Sequence, residues 1–182
     1  LRAIEQLGGA VIDCDAVYHE MLEQDDALMR DIRTSFPNSF TQGGLDRKKL
    51  GQEVFSDKER LALLNSVVYQ HLVPEVRKRV QSCVEPLVAV DAINLLESGL
   101  DQLCDRTVAV TSPMELRLRR IMARDGIDEG YARLRIGAQR TDDYYREHCD
   151  LELCNDAAAP EEFEEKAKRF FETVKEEKQH GR

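Results

Sequence analysis

Apolar positions in this chain follow two rhythms. Short unbroken runs alternate with longer stretches in which apolar residues recur every three or four positions. Leu1, Ile4 and Leu7 have helical spacing and run into Gly8-Gly9, which predicts a helix over 1–7 with a glycine C-cap. No Ser, Thr, Asp or Asn precedes that helix, so further sequence is expected upstream of Leu1. Ala10 to Asp13 is an apolar run ending in an acid, the mark of a buried strand. Residues 16–36 are mostly helical in pattern until Phe36-Pro37-Asn38 breaks them. Thr41 to Gly44 is a turn, Asp46 is a predicted N-cap for a helix over 47–54, and a helical region with Pro74 inside it covers 57–78. Pro86 to Asp91 and Thr107 to Thr111 are predicted as the second and third buried strands. Ser112-Pro113 then opens a helix to about Arg124. Asp125-Gly126 turns the chain, Asp128 caps a helix to about Gln139, and Leu151 to Asn155 is a weaker strand. A charged amphipathic helix covers 161–179.

Strands alternating with long helices predict an α/β domain built on a parallel sheet. Roughly seventy residues of nearly pure helix separate the first two strands, too many for a simple crossover. They are expected to be a helical insertion that handles substrate. Ligands of open parallel sheets bind outside the carboxyl ends of the strands. The polar residues expected there are Asp13, Asp15, Asp91, Glu97, Thr111, Ser112 and Asn155.

Length, charge and cysteines narrow the class. The chain has 182 residues, 35 Asp and Glu against 26 Lys and Arg, and a formal net charge of −9. An acidic surface repels polynucleotides, so nucleic acid is not an expected partner. No apolar run approaches the roughly 20 residues of a membrane span, and no signal peptide opens the chain. A soluble cytoplasmic protein is expected. The five cysteines are odd in number and form no C-x-x-C pair, so reduced thiols are expected in place of disulfides or a zinc site.

Three groups of residues carry candidate chemistry. Asp13 and Asp15 place two carboxylates at a strand end, on the same side by two-residue alternation. They are suited to a general base beside a hydroxyl, or alternatively to capping the next helix. Asp91 and Glu97 punctuate an apolar segment after the second strand. Asp91 can orient a base, sit in the shell of Mg²⁺, or form a loop-capping Asx turn. Arg117, Arg119, Arg120, Arg124, Arg133, Arg135 and Arg140 concentrate positive charge. Among them Arg120 and Arg124 share a helix face at i, i+4, as a phosphate clamp would. The alternative for these arginines is ion pairing with Glu115, Asp125 and Asp128. Of the histidines, His19, His148 and His180 are expected at the surface, and His71, near Asn65 and Tyr69, is the one candidate for substrate contact.

In this order the segments resemble dephospho-CoA kinase, the P-loop enzyme of the last step of coenzyme A synthesis. Gly9 to Asp15 resembles its G-x-x-V-I-D-A-D. Leu45 to Leu50, Val54-Phe55 and Leu64-Asn65 resemble L-D-R-x-x-L, V-F and L-N. Asp91 to Leu100 resembles D-x-P-L-L-F-E-x-G-L, Arg135-Ile136-Gly137-Ala138-Gln139 resembles R-I-x-x-Q, and Asp150 to Asn155 resembles a final strand motif. The likeness covers nearly the whole chain. It implies an α/β, P-loop kinase-like parallel sheet flanked by helices. The core would be 1–15, 86–118 and 150–182, with a helical substrate-binding insertion at about 16–85 and an arginine-bearing lid at about 119–149. It also implies transfer of the γ-phosphoryl of ATP, with Mg²⁺, to the ribose 3′-hydroxyl of dephospho-CoA by a monomer or small homo-oligomer. Asp15, Arg120 and Arg124 would be catalytic. Asp13, Arg47, Asn65, His71, Asp91 and Glu97 would bind the acceptor, while Arg120, Arg124, Gln139 and Asn155 would bind ATP. No residue is assigned as a metal ligand.

Three departures accompany the resemblance. The family's glycine-rich phosphate loop is expected upstream of Leu1, and without it weak ATP binding and no turnover are expected. The family's H-P after L-N is replaced by Tyr69-Gln70-His71-Leu72, with the histidine displaced, and Ile93 stands where the family has proline. Another small-molecule kinase of the same fold, or a catalytically dead binding relative, are the alternatives.

Overall fold

The structure is a computed structural model that describes residues 1–55, 57–137 and 139–180, the last three by backbone alone. Ala138, within the R-I-x-x-Q segment, and the side chain of His180 lie outside the described residues. The chain folds as two compact units. One comprises Leu1 with 8–103, and the other 2–7 with 104–182.

Helix α1 (Arg2–Gln6) belongs to the second unit and ends before Gly8, whose φ of +72° needs no Cβ to be avoided. In the first unit, β1 (Ala10–Asp13) feeds directly into α2 (Cys14–Gln24). Asp13 is the N-cap, its Oδ1 accepting from the N–H groups of Asp15 and Ala16 at 3.0 Å each. Asp25 ends α2 and caps α3 (Asp26–Ser35), so the single helical stretch expected over 16–36 is two helices with a corner. Proline 37 starts a 3₁₀ turn, after which β2 (Phe40–Thr41) and β3 (Gly44–Leu45) form a small antiparallel hairpin where only a turn was expected. Asp46 caps α4 (Arg47–Phe55) as the sequence suggests.

Helix α5 (Lys58–Ser82) is 25 residues long and continues through Pro74. It buries Val68, Leu72 and Val76, four residues apart on one stripe, against Val17, Leu28, Ile32 and Phe36. Strand β4 (Val88–Asp91) pairs parallel with β1 in a register that sets Asp13 opposite Asp91. It is only half-buried, not buried as expected, because a two-stranded sheet leaves one of its edges without a neighbouring strand in this unit. Short α6 (Leu95–Ser98) and a 3₁₀ turn complete the unit.

In the second unit, β5 (Val108–Thr111) leads through Ser112-Pro113 into α7 (Met114–Asp125). Gly126, at φ +64°, closes that helix, and α8 (Glu129–Gly137) folds back on it through Leu118, Ala132 and Ile136. Asp128 caps α8, accepting from the Tyr131 N–H. Helix α9 (Asp142–His148), capped by Thr141, lies where the apolar rhythm gave no sign of a helix. Strand β6 (Leu151–Cys154) pairs parallel with β5. Helix α10 (Pro160–His180) packs Ala167, Phe163 and Phe170 with Ala3 of α1 and Leu153 of β6. The expected parallel α/β arrangement is therefore present as two parallel pairs carried by helices. No helix among the described residues is long and apolar enough to cross a membrane.

Candidate active site

In the first unit the candidate acids gather at the carboxyl ends of β1 and β4. Asp13 and Asp91 terminate adjacent parallel strands, and Asp15 stands in the first turn of α2. Asp15 is thus helical, and the two-residue strand alternation used to align it with Asp13 does not extend to it. Of the two readings of this pair, the structure shows helix capping by the Asp13 carboxylate, while the exposed Asp15 side chain has no partner among the described residues. The cap matters to Asp15, since it fixes the turn on which that carboxylate is carried. Asp91 is exposed on one side yet crowded by the strand ends. That partial desolvation, followed by the charges of Asp13 and Asp15, raises its carboxyl above the ordinary range. Arg47, at the start of α4, is exposed and close enough to Tyr18 of α2 for its charge to be felt there.

A second feature of this unit is an open groove of about 760 Å³ between α5 and α6. Asn65, Tyr69, Val73 and Pro74 line it from α5, and Glu97 and Ser98 from α6. It brings together two of the candidate acceptor residues, Asn65 and Glu97. His71 is not among them. Its Nε2 lies 2.8 Å from Asp31 Oδ2 and its Nδ1 lies 3.6 Å from Asp25 Oδ2, so it ties α5 to the corner between α2 and α3.

The second unit holds the candidate phosphate and adenine residues. Arg120 donates from Nη1 to Ser112 Oγ and to the Asn155 carbonyl, each at 3.3 Å, and from Nη2 to the Ala157 carbonyl at 2.8 Å. Arg124 instead forks onto its neighbour Asp125, at 2.6 and 3.0 Å, and Arg135 reaches the same carboxylate at 2.5 Å. The two helix-face arginines therefore do not act as parallel prongs in this state. Ion pairing accounts for several of the others: Arg117 with Asp142, and Arg133 with Glu129 and, at 3.9 Å, Glu115. Asn155 donates its backbone N–H to the Thr111 carbonyl at 2.7 Å. Its side-chain oxygen is buried with no partner among the described residues, an acceptor awaiting a donor. Gln139 is exposed beyond the end of α8.

The hydrogen bond from Arg124, reinforced by that from Arg135, holds the Asp125 carboxyl down at about 2. A depressed carboxylate contributes stability that is present above its unfolded value of 3.8 and is lost as the pH falls toward 2. Carbon-13 titration of Asp125 is expected to give a midpoint near 2, rising toward 3.8 in Arg124→Ala. A wild-type midpoint already near 3.8 would remove this triad from the solution structure. The partners are exposed, so added salt should also raise the midpoint.

Hard carboxylate oxygens suit Mg²⁺, which typically takes one or two carboxylates along with phosphates and water. The described residues contain no cluster of three or more potential metal ligands. The mutual repulsion felt at Asp91 is of the kind a divalent cation relieves.

Comparison with known proteins gives this geometry a context. Residues 2–161 match the profile of the family described as dephospho-CoA kinase. The chain is 33% identical over 163 residues to the dephospho-CoA kinase of Bacillus licheniformis, covering 85% of this chain and 79% of the relative. It is 28% identical over 175 residues to that of Fusobacterium nucleatum, covering 95% and 90%. A crystal structure of a Thermus thermophilus protein superposes with a TM-score of 0.78 at 27% identity, covering 96% of this chain and 88% of the other. The dephospho-CoA kinase from Campylobacter jejuni superposes with a TM-score of 0.64 at 21% identity, covering 96% and 89%, a likeness of fold. With the profile and the Bacillus relative each covering most of its length, the chain belongs to the dephospho-CoA kinase family.

Proposed function

We propose that this protein transfers the γ-phosphoryl group of ATP to the ribose 3′-hydroxyl of dephospho-CoA, giving coenzyme A. Family membership supports the reaction and the acceptor. The observation that carries the reading at the level of residues is the meeting of Asp13, Asp15 and Asp91 at the carboxyl ends of two parallel strands. In the reaction a bond forms between the 3′-oxygen and the γ-phosphorus while the bond to the ADP oxygen breaks. Asp15 orients the hydroxyl and accepts its proton. It needs no unusual basicity, because positioning and charge neutralisation dominate phosphoryl transfer. Asp13 holds the turn that carries Asp15.

Asp91 is the residue best suited to hold Mg²⁺, directly or through water, with Asp13 beside it. The ion, when bound, neutralises phosphate charge. Arg47, Asn65 and Glu97 belong to the acceptor side, within the helical region 16–85. His71 serves that side by bracing α5. On the nucleotide side, Arg120 and Arg124 answer phosphate charge, Arg124 exchanging the Asp125 carboxylate for a phosphate oxygen. The orphan oxygen of Asn155 suits the amino group of adenine, and Gln139 stands at the end of the arginine-bearing segment 119–149. A cytoplasmic monomer or small homo-oligomer completes the reading.

The test is incubation of the full-length protein with ATP, Mg²⁺ and dephospho-CoA. The acceptor is expected to gain about 80 Da, the mass of one phosphoryl unit. A gain on a nucleoside monophosphate or shikimate, with none on dephospho-CoA, would overturn the acceptor assignment.

A further inference from the structure

Ser112-Pro113 reads as a helix start, yet no side chain caps α7. The Ser112 hydroxyl instead donates to the Asn155 carbonyl at 2.9 Å, 43 residues along the chain, and accepts from Arg120 Nη1 at 3.3 Å. Pro113 restricts the backbone of the residue before it to extended conformations, so the hydroxyl is carried on a stiff support.

That bond completes a clasp around Asn155, the first residue after β6. Two bonds fix the peptide plane on its N-terminal side. The Asn155 N–H donates to the Thr111 carbonyl at 2.7 Å, and the Cys154 carbonyl accepts from Lys166 Nζ at 2.8 Å. The plane on its C-terminal side is held through the Asn155 carbonyl, which accepts from Ser112 and, at 3.3 Å, from Arg120. Peptide groups are planar, so holding both planes fixes the direction in which the Asn155 side chain leaves the backbone. Ser112 makes the shorter of the two bonds to that carbonyl. Arg120 divides its guanidinium among Ser112, Asn155 and Ala157, and is nearest to Ala157 at 2.8 Å. The side chain aimed in this way ends in an oxygen that is buried with no partner among the described residues. An unpaired buried acceptor separates ligands that bring a donor from those that do not.

We infer that Ser112 is a positioning residue that sets base specificity: by holding the Asn155 carbonyl, it aims the Asn155 side-chain oxygen at the amino group of adenine. This rests on the proposed use of ATP with Asn155 at the base. Arg120 keeps its bond to Ala157 whether or not Ser112 has a hydroxyl, so Ser112 acts on the base and not on the phosphoryl step.

The test compares ATP with purine riboside triphosphate, which lacks only the 6-amino group, as phosphoryl donors for the full-length protein. The wild type is expected to show a KM about 5- to 10-fold lower for ATP than for the analogue. In Ser112→Ala the KM for ATP rises about 3- to 10-fold, the KM for the analogue changes less than about twofold, and kcat stays within about twofold with both. Asn155→Ala erases the same preference, and adding Ser112→Ala to it causes no further rise. An equal rise with both donors, as a merely structural serine would give, overturns the inference. So does a fall in kcat with both donors, which would place Ser112 with Arg120, or an additive effect in the double variant. A wild type that uses the two donors equally would instead overturn the placing of Asn155 at the base. Absence of phosphoryl transfer from either donor would overturn the underlying reaction.

Discussion

Asp15→Asn is expected to lower kcat by about two to four orders of magnitude and to leave the KM for ATP within about twofold of wild type. The substitution preserves size, so the first turn of α2 and the Asp13 cap that builds it remain. It removes the capacity to take a proton and the negative charge that draws the acceptor hydroxyl into line. The carboxylate is exposed and has no partner among the described residues, so its loss breaks no internal contact. Folding should accordingly change by less than about 1 kcal/mol, the scale of one acid near a helix N-terminus. Steady-state kinetics with a parallel melting curve separates the two effects. Unchanged turnover would remove Asp15 from the mechanism.

Arg120→Ala is expected to reduce kcat by about 10²- to 10³-fold, more than it raises the KM for dephospho-CoA. It should also cost about 1–3 kcal/mol of stability, because the carbonyls of Asn155 and Ala157 lose a charged donor together. Arg120→Lys should recover little of either. An ammonium cannot bridge acceptors that the planar guanidinium reaches from two nitrogens at once. Arg124→Ala should show the kinetic loss with a smaller cost in stability than Arg120→Ala, since the Arg124–Asp125 pair is exposed and Asp125 keeps Arg135. A pure loss of acceptor binding in either variant would move that arginine to the acceptor side.

How much of this was legible beforehand depends on where the information resides. The strands ending at Asp13, Asp91 and Thr111 were readable because each is an apolar run bounded by polar or turn residues, while the one ending at Cys154 gave a weaker signal because Glu152 interrupts it. The caps at Asp46 and Asp128 were readable because capping is a local transaction between a side chain and N–H groups two or three residues on. The hairpin of β2 and β3 was too short to show alternation, and α9 has a polar sequence whose only local signal was the Thr141 cap. Asp15 was placed on a strand because the sequence does not mark where alternation gives way to helix. The carbonyls that Arg120 grips lie 35 and 37 residues away. Such facts belong to tertiary packing, which periodicity cannot encode.

The grip of Arg120 on the loop after β6 has a mechanical consequence. Helix α7 is pinned near its root by that side chain, and α8 packs on α7 through Leu118, Ala132 and Ile136. These contacts brace the root of the α7–α8 hairpin. If it stays rigid, Arg124 and Arg135 reach an incoming anion by swinging their own long side chains. Such rotamer changes run in picoseconds to nanoseconds, against the microseconds to milliseconds of a hinge. Engaging the nucleotide would then be too fast to limit turnover, and any slow step would have to be sought in another part of the cycle.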